Sequence, residues 1–542
     1  MDADDRGAPV AGVPPAGAAP ALSGTWAPLA LSTYRWLWIA QLVSNVGTWM
    51  QSVGAQWMMV HEPNAASLTA MASAAGLLPV LMISLPAGVL ADVLDRRRYL
   101  VGVFSAAVVV AGSLAVLTAA GLVTPLVLLM LTFGLGVTTA MAAPAWQAVQ
   151  PELVPRRLIP AAAALGSMNV NLARAVGPAL AGVLLLAVSP AALFAINAVS
   201  TVAVVGALLA WRRAPEPDRT AEPLVSAMLS GSRYVRHAPG VRRVLLRTGV
   251  FVVPASALWA LLAVVANQRL GLGSGGYGLM LGALGAGAVL GALVLRSLRE
   301  HLSRGALLAV FSLVYGTALL GAGVMRTPWV LAVLLVAAGM GWLVVLSTFS
   351  ITLQLTLPAW VRARGMATYI IVLLGGQGLG AVAWGLIAQK VGVGHALVGA
   401  AALMALGVLT QLWWPLLERT GTTDPSVDTL WPEPELADEP DQRDGPVLVE
   451  GRYVVTDDVD AFIEAARRVG LSRRRTGATS WALYRDLADP SLFVEVFTLP
   501  TWGEHVRQHH ERLTGYDREV DTRMRAYTAE ESGARHLMLV AE

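Results

Sequence analysis

A chain of 542 residues that is 55% hydrophobic, only 14% charged and has a mean hydropathy of +0.60 excludes a string of soluble domains, since soluble chains carry charge on about a quarter of their residues. Its net charge of +3 would, read alone, suggest nucleic acid, but the arginines sit in short loops between apolar runs, where they act as topology determinants. The absence of cysteine excludes disulfides, thiol catalysis and cysteine-ligated metals, and Lys390 is the one lysine.

Residues 1–30 are rich in Pro, Ala and Gly and carry Asp2, Asp4 and Asp5. They show neither the basic nor the apolar segment of a signal peptide and read as a disordered tail. Apolar runs follow at about 34–60, 67–91, 99–121, 123–147, 161–187 and 190–211, a six-helix bundle over 31–211. Each run has the length that crosses about 30 Å of hydrocarbon. The charged linker 212–243 holds Pro215, Pro217 and Pro223, and its stretch Leu224–Val235 is either a short amphipathic surface helix or a plain tether. Runs resume at about 244–266, 276–296, 305–325, 328–353, 365–390 and 392–416, a second bundle over 244–417. An acidic, proline-bearing linker covers 418–444.

From residue 445 to 542 the composition turns soluble. Strands are predicted at Val447–Val455, Thr479–Arg485, Leu492–Leu499 and His536–Val540, with helices at Val459–Arg468 and Trp502–Leu513. The order β-α-β-β-α-β is that of a ferredoxin-like α+β domain. The fold class is therefore an all-α polytopic membrane protein of about twelve transmembrane helices in two six-helix repeats, plus that C-terminal domain.

The basic loops set the topology. Arg96, Arg97 and Arg98, Arg156 and Arg157, Arg296, Arg299 and Arg304, Arg362 and Arg364, and Arg419 share one set of alternate loops with the arginine-rich central linker. The other set holds only Arg269, Arg326 and Lys390. The positive-inside rule makes the first set cytoplasmic and puts both termini inside a bacterial-type cytoplasmic membrane. The halves also echo each other at an offset near 203 residues. Gly177-Pro178-Ala-Leu-Ala-Gly182 falls opposite Gly380-Ala-Val-Ala-Trp-Gly385, Arg174 opposite Gln377, and Gln150…Val154-Pro155 opposite Gln354…Leu357-Pro358. Parallel six-helix repeats build one large class of secondary transporters.

Several residues stand out for chemistry. Where the second helix meets the cytoplasm lies Gly88-Val-Leu-Ala-Asp92-Val-Leu-Asp95-Arg96-Arg97-Arg98. Gly88 permits close helix approach, and Asp92 needs a partner, a helix N-terminus or an arginine, that latches the inward gate. On the fifth helix, Gly177 and Gly182 admit a tightly packed neighbour and Pro178 bends the helix. Arg174 lies well inside that span with Asn171 and Ser167 before it; it is either a substrate contact or a structural pair between helices. The first helix carries Gln41, Asn45, Thr48, Ser52 and Gln56 on one face, which faces a cavity or other helices and not lipid. Trp38 and Trp49 beside it either stack on an aromatic substrate or pack the interface. Trp146, Gln147, Trp259, Trp342 and Gln354 are further candidates.

The gate motif resembles the G-x-L-A-D-r-x-G-r-r loop of the major facilitator superfamily, with Asp95 where many members have glycine. The Gly177-Pro178-x-x-x-Gly182 element is similar to one on the fifth helix of exporters in that superfamily. The resemblance implies alternating access, with the first helix of each repeat lining the cavity, so Gln41, Asn45, Trp49, Ser52, Asn171, Arg174 and Gln377 become the substrate candidates. Gly88, Asp92, Asp95, Arg96, Arg97, Gly177 and Pro178 become the gating ones. In the tail, Trp481-Ala-Leu-Tyr484-Arg485-Asp486, Phe493-Val-Glu495-Val-Phe497 and Trp502-Gly-Glu504-His505 resemble the enterobactin-exporter-like, or transmembrane secretion effector, family. The same tail is similar to antibiotic-biosynthesis-monooxygenase-like domains, whose habit of pairing implies dimerisation through it.

No apolar core carries an obvious mid-membrane Asp or Glu, so proton coupling is implied by the family and not by a residue here. The loop Gly271-Leu-Gly273-Ser-Gly275-Gly276 lacks the strand and lysine of a phosphate cradle. His505, His509 and His510 put two histidines on one helix face, too few for a metal site, and neither metal nor cofactor is expected. The expectation is a proton-coupled exporter of a small amphipathic drug, siderophore or secondary metabolite, with the bilayer and that molecule as its partners. The alternatives are an importer of the same fold, or a transporter fused to a catalytic or ligand-binding tail.

Overall fold

The computed structural model describes residues 24–211, 233–415, 440–529 and 532–540. The expected disordered tail (apart from 24–30), the central linker up to residue 232 and the acidic linker up to residue 439 lie outside those residues, so that of the Leu224–Val235 stretch only 233–235 is described.

Six long helices come first: α1 (Ser32–Met59), α2 (Ala65–Val93), α3 (Arg96–Ala119), α4 (Pro125–Val149), α5 (Ile159–Leu184) and α6 (Pro190–Ala210). Six more follow: α7 (Pro239–Val264, continued by a π turn to Arg269), α8 (Ser274–His301), α9 (Arg304–Val324), α10 (Pro328–Thr356), α11 (Ala359–Val391) and α12 (Val393–Trp413). Proline opens the first turn of α4, α5, α6, α7 and α10, where its missing N–H would have had no helical partner. Gly392 alone separates α11 from α12, and its φ of +89° is a conformation that a side chain would strain.

Among the described residues ten helices are long and apolar enough to cross a membrane. The two long helices outside that set are α1 and α5, of 28 and 26 residues. They carry polar side chains, and they pack on neighbouring helices, α1 on α5 and α6, α5 on α1 and α8. Within each half the helices pack into one bundle; between halves the contacts run through α2 with α11 and α5 with α8.

Glycines set these contacts, and they do so with internal symmetry. A Cβ on Gly177 would lie 2.6 Å from Cβ of Trp49 on α1, and one on Gly182 would overlap Cα of Gly278 on α8. In the second half, a Cβ on Gly380 would lie 2.9 Å from the carbonyl of Val253 on α7, and one on Gly385 would overlap Ala70 on α2. The first glycine of each pair thus seats the helix on the first helix of its own half, the second on the second helix of the other half.

The tail contains β1 (Val447–Val454), α13 (Val459–Thr476), β2 (Ser480–Arg485), β3 (Leu492–Leu499), α14 (Trp502–Arg507, continued by a π turn to Arg512), α15 (Gly515–Arg525) and β4 (Ser532–Met538). Its sheet is antiparallel in the order β2-β3-β1-β4, with Val447 paired to Leu499 and to Met538. β4 starts earlier than expected because Ser532 already pairs with Arg452. α15 was not expected; Thr514 and Asp517 open it with a capping box, and Val520 and Met524 enter the core.

Tail and helical body meet at named side chains. The Arg512 guanidinium lies 4.9 Å over Trp360 at the start of α11, Tyr234 meets Trp360 edge-on at 5.6 Å, and Arg475 lies 5.9 Å over Tyr234.

Candidate functional site

At mid-length on α5 sits Arg174. Its guanidinium lies 5.6 Å over the ring of Trp49 on α1, and Trp49 leans on Trp259 of α7 at 6.0 Å. Trp259 meets Trp342 of α10 at 5.8 Å, and Trp342 meets Phe251 and Tyr315 at 5.9 and 6.0 Å. A row of aromatic rings therefore runs from the first half into the second, with the arginine at one end. Beneath it opens a cavity of about 250 Å³ between α5, α7, α8 and α10, lined among others by Asn171, Arg174, Trp259, Gly285 and Trp342. Among the described residues no acidic side chain lines it.

One side of this cavity is sealed. Gly182 against Gly278, Gly285 against the Ala175 carbonyl (2.7 Å from an added Cβ) and Gly275 against Leu186 bring α5 and α8 together. Gly375 against Leu81, Gly378 against Leu78 and Gly385 against Ala70 do the same for α11 and α2. Tyr277 donates to Gln56 at 3.1 Å, and Gln389 to Asn64 at 3.1 Å, across the halves on that side. The cavity-lining stretches 168–175 of α5 and 284–293 of α8 lie on the other side of most of these contacts, towards the arginine-rich loops.

The polar face of α1 does not line this cavity. Gln41 donates to Asn45 (3.0 Å), Asn45 to Asn169 of α5 (2.8 Å), and Asn169 to the Trp38 carbonyl (2.9 Å), while Trp38 donates to the Leu165 carbonyl (2.9 Å). Thr48 and Gln51 turn to Asn197 of α6. Asn45 therefore joins α1 to α5, with Gln41 bonded to it along α1, and Ser52 lies half-buried on α1 with no hydrogen bond among the described residues. Gln377 sits on α11 outside the lining. Asn171 does line it, two residues and so about 200° around the helix from Asn169. Asn169, Asn197 and Tyr369, which donates to the Leu346 carbonyl (3.2 Å) and lies close enough to feel the Arg174 charge, carried no local sequence signal.

The α2–α3 motif is tied into its own half. Asp95 caps α3 by accepting from the Arg98 N–H at 2.8 Å; Arg96 reaches Glu152 at 2.6 Å; Arg97 donates to the Leu208 and Leu209 carbonyls at the end of α6. The Asp92 side chain is outside the described atoms. A Cβ on Gly88 meets no described atom within 4 Å. Gly177 and Pro178 are both buried, the glycine against Trp49.

In the tail, Arg473 is 2% exposed and paired with Glu495 (3.1 Å) and Asp521 (2.7 Å), with Tyr453 and Trp481 also donating to Glu495. His505 is enclosed by Trp502 and His536, and burial first, then His536, His509 and His510, lower its pKa to about 3. Among the described residues no three His, Asp or Glu side chains assemble a metal site.

Two halves of six helices around a mid-chain cavity have the architecture of a major facilitator transporter. Solved structures share the fold: a bacterial homolog of the human lysosomal transporter Spinster, inward-facing and unoccupied, matches with a TM-score of 0.56 at 14% identity over 72% of this chain and 98% of that one. The nucleoside transporter NupG matches with a TM-score of 0.56 at 11% identity, over 70% and 99%. The family model described as transmembrane secretion effector matches residues 23–542, and the chain belongs to that family. It is similar to the enterobactin exporter EntS of Shigella boydii, 26% identical over 402 residues, 73% of this chain and 94% of that protein. It is also similar to the staphyloferrin A transporter of Staphylococcus aureus, 24% identical over 278 residues, 51% of this chain and 70% of that protein.

Proposed function

We propose that this protein is a secondary active exporter, moving a small amphipathic molecule across a bacterial-type cytoplasmic membrane by alternating access coupled to protons. The observation that carries the reading is the cavity between the two halves, sealed on one side by backbone-close glycine contacts. Both termini and the arginine-rich loops lie in the cytoplasm, so the cavity faces inward. Arg174, Asn171 and Trp49, with Trp259 and Trp342, hold the cargo. The Gly182–Gly278 and Gly385–Ala70 contacts are the outer seal, which opens as the halves rock. The Gly88–Arg98 segment, rigid with its own half through Arg96 and Arg97, closes against the other half in the outward state, with Asp92 as its latch. Export is the direction because a relative matched over 94% of its own length bears that activity in its name. The tail, with its β2-β3-β1-β4 sheet, is a ferredoxin-like module seated on the second half through Trp360.

Membrane vesicles of known orientation test this. A proton gradient should drive accumulation of exported dyes or siderophores into inside-out vesicles, and accumulation confined to right-side-out vesicles would sink export. The seal is tested with Gly182→Val, whose side chain cannot fit against Gly278. The chain has no cysteine, so Ser274→Cys in the seal is a clean reporter. Overpacking of about 1–3 kcal/mol should raise its labelling from outside about tenfold; unchanged labelling would remove the seal.

A further inference from the structure

The cavity offers donors and no acceptor of comparable strength. Arg174 Nε, Trp259 Nε1 and Trp342 Nε1 are each shielded from solvent and find no hydrogen-bond acceptor among the described residues. All three belong to residues that line the same cavity. Their rings and guanidinium form one chain, Arg174 to Trp49 at 5.6 Å, Trp49 to Trp259 at 6.0 Å and Trp259 to Trp342 at 5.8 Å. Among the described residues Arg174 has no ion pair, and its neighbours Trp49 and Tyr369 are uncharged. A guanidinium in an apolar span is costly unless something neutralises it. An indole N–H shielded from water likewise needs an acceptor. Among the described residues the protein supplies neither here, and apart from Asn171 and Ser347 the rest of the lining is apolar, as at Leu284, Ala288, Val289 and Leu343.

We propose, resting on the transporter reading above, that the cargo is an organic anion with a flat apolar body. Its carboxylate or other oxyanion neutralises Arg174, further oxygen acceptors take the indole N–H groups of Trp259 and Trp342, and its apolar body lies along the aliphatic wall. Arg174 is then the cargo's counter-ion, so the unloaded carrier holds an uncompensated positive charge and the loaded one does not. A cationic cargo meets repulsion in the same place.

The test uses three probes of one shape: 1-naphthoate, neutral 1-naphthamide and the cation 1-naphthylmethylammonium, bound to the full chain in phosphatidylcholine nanodiscs. Naphthoate should bind about tenfold or more tighter than the other two. Arg174→Gln should erase that preference while leaving naphthamide binding in place, and Arg174→Lys should keep part of it. Trp259→Phe and Trp342→Phe retain a ring but lose the donor, and each should weaken naphthoate several-fold and the amide less. Equal or better binding of the cation, an anion preference that survives Arg174→Gln, or no naphthoate binding at millimolar concentration overturns the proposal. A phosphate headgroup offers the same chemistry as a soluble anion. Displacement of naphthoate by added phosphatidylglycerol assigns the site to lipid and overturns the cargo claim. Vesicle transport is scored separately: selective anion binding without transport defeats the transporter reading alone, and transport without charge preference defeats this one alone.

Discussion

Arg174 and Arg473 are the same side chain in two enclosed places, and the protein treats them in opposite ways. In the tail, Arg473 is answered from within: Glu495 and Asp521 flank it, and Tyr453 and Trp481 satisfy the remaining oxygens of Glu495. In the helical body, Arg174 has an aromatic face and an uncharged tyrosine nearby and, among the described residues, no ion pair. A buried charge with its partners on the same chain belongs to the fold. A half-buried charge in an apolar span that lacks them, as Arg174 does among the described residues, stands ready for something that arrives from outside. The difference separates structure from function where burial alone does not.

The largest expected effect falls on the tail. Arg473→Leu leaves Glu495 enclosed without its cation and Asp521 with Arg525 alone, a loss of about 3–5 kcal/mol, on the order of the whole stability of a small domain. In the full chain, limited proteolysis should then cut within 445–542 while the helical body stays intact. Adding Glu495→Gln should recover part of the loss, because it removes one of the stranded charges. A cleavage pattern like the parent's would mean that the pairs contribute little.

A smaller effect is tied to pH. The His505 imidazole ordinarily titrates near 6.5, but burial, with His536, His509 and His510 behind it, lowers its pKa to about 3 in the folded tail. Between those values the unfolded chain binds a proton that the folded one refuses. Stability from this group is therefore complete above about 6.5 and falls by about 1.4 kcal/mol per unit as the pH drops towards 3. Asp521 acts in the same direction: burial opposes its charge, yet Arg473 and Arg525 hold its carboxyl low, and that gain is lost only in stronger acid. Proteolytic half-lives of the tail at pH 7 and pH 5 should differ, and His505→Phe should flatten the difference. Equal slopes in the two proteins would contradict the burial of a neutral imidazole.

These contrasts also mark how far the amino-acid sequence is legible. A run such as 190–211 leads directly to α6 at Pro190–Ala210, because a helix is the one way a single span satisfies its backbone in hydrocarbon. The glycine pairs were readable for the same reason: spacing fixes which residues share a helix face. Partners were not readable. Gln41 and Asn45 announce a polar face, but nothing local says whether ligand or Asn169 answers it. The row Trp49, Trp259 and Trp342 draws on three helices far apart in the chain, and no spacing encodes that meeting. In the tail, α15 escaped notice because Asp517 and Asp521 point inward as ion-pair partners, which inverts the polar-out pattern.

The smallest effect on stability should come from Arg174→Leu, and that near-absence is the sharpest test of the comparison. Removing a cation that has no carboxylate partner strands nothing, and leucine fits the aliphatic lining beside Leu172 and Leu284. Lost contact with Trp49 takes away about 1 kcal/mol of cation–π attraction. Relief of the desolvated charge returns a similar amount or more. Thermal stability of the purified full chain should therefore hold or rise slightly, while transport of anionic cargo disappears. Arg473→Leu, measured in the same way, should show the reverse: a lost tail with the cavity unaltered. If Arg174→Leu instead unfolds the helical body as Arg473→Leu unfolds the tail, Arg174 has a partner in another conformation and holds helices together. The two arginines would then differ only in which state of the protein satisfies them.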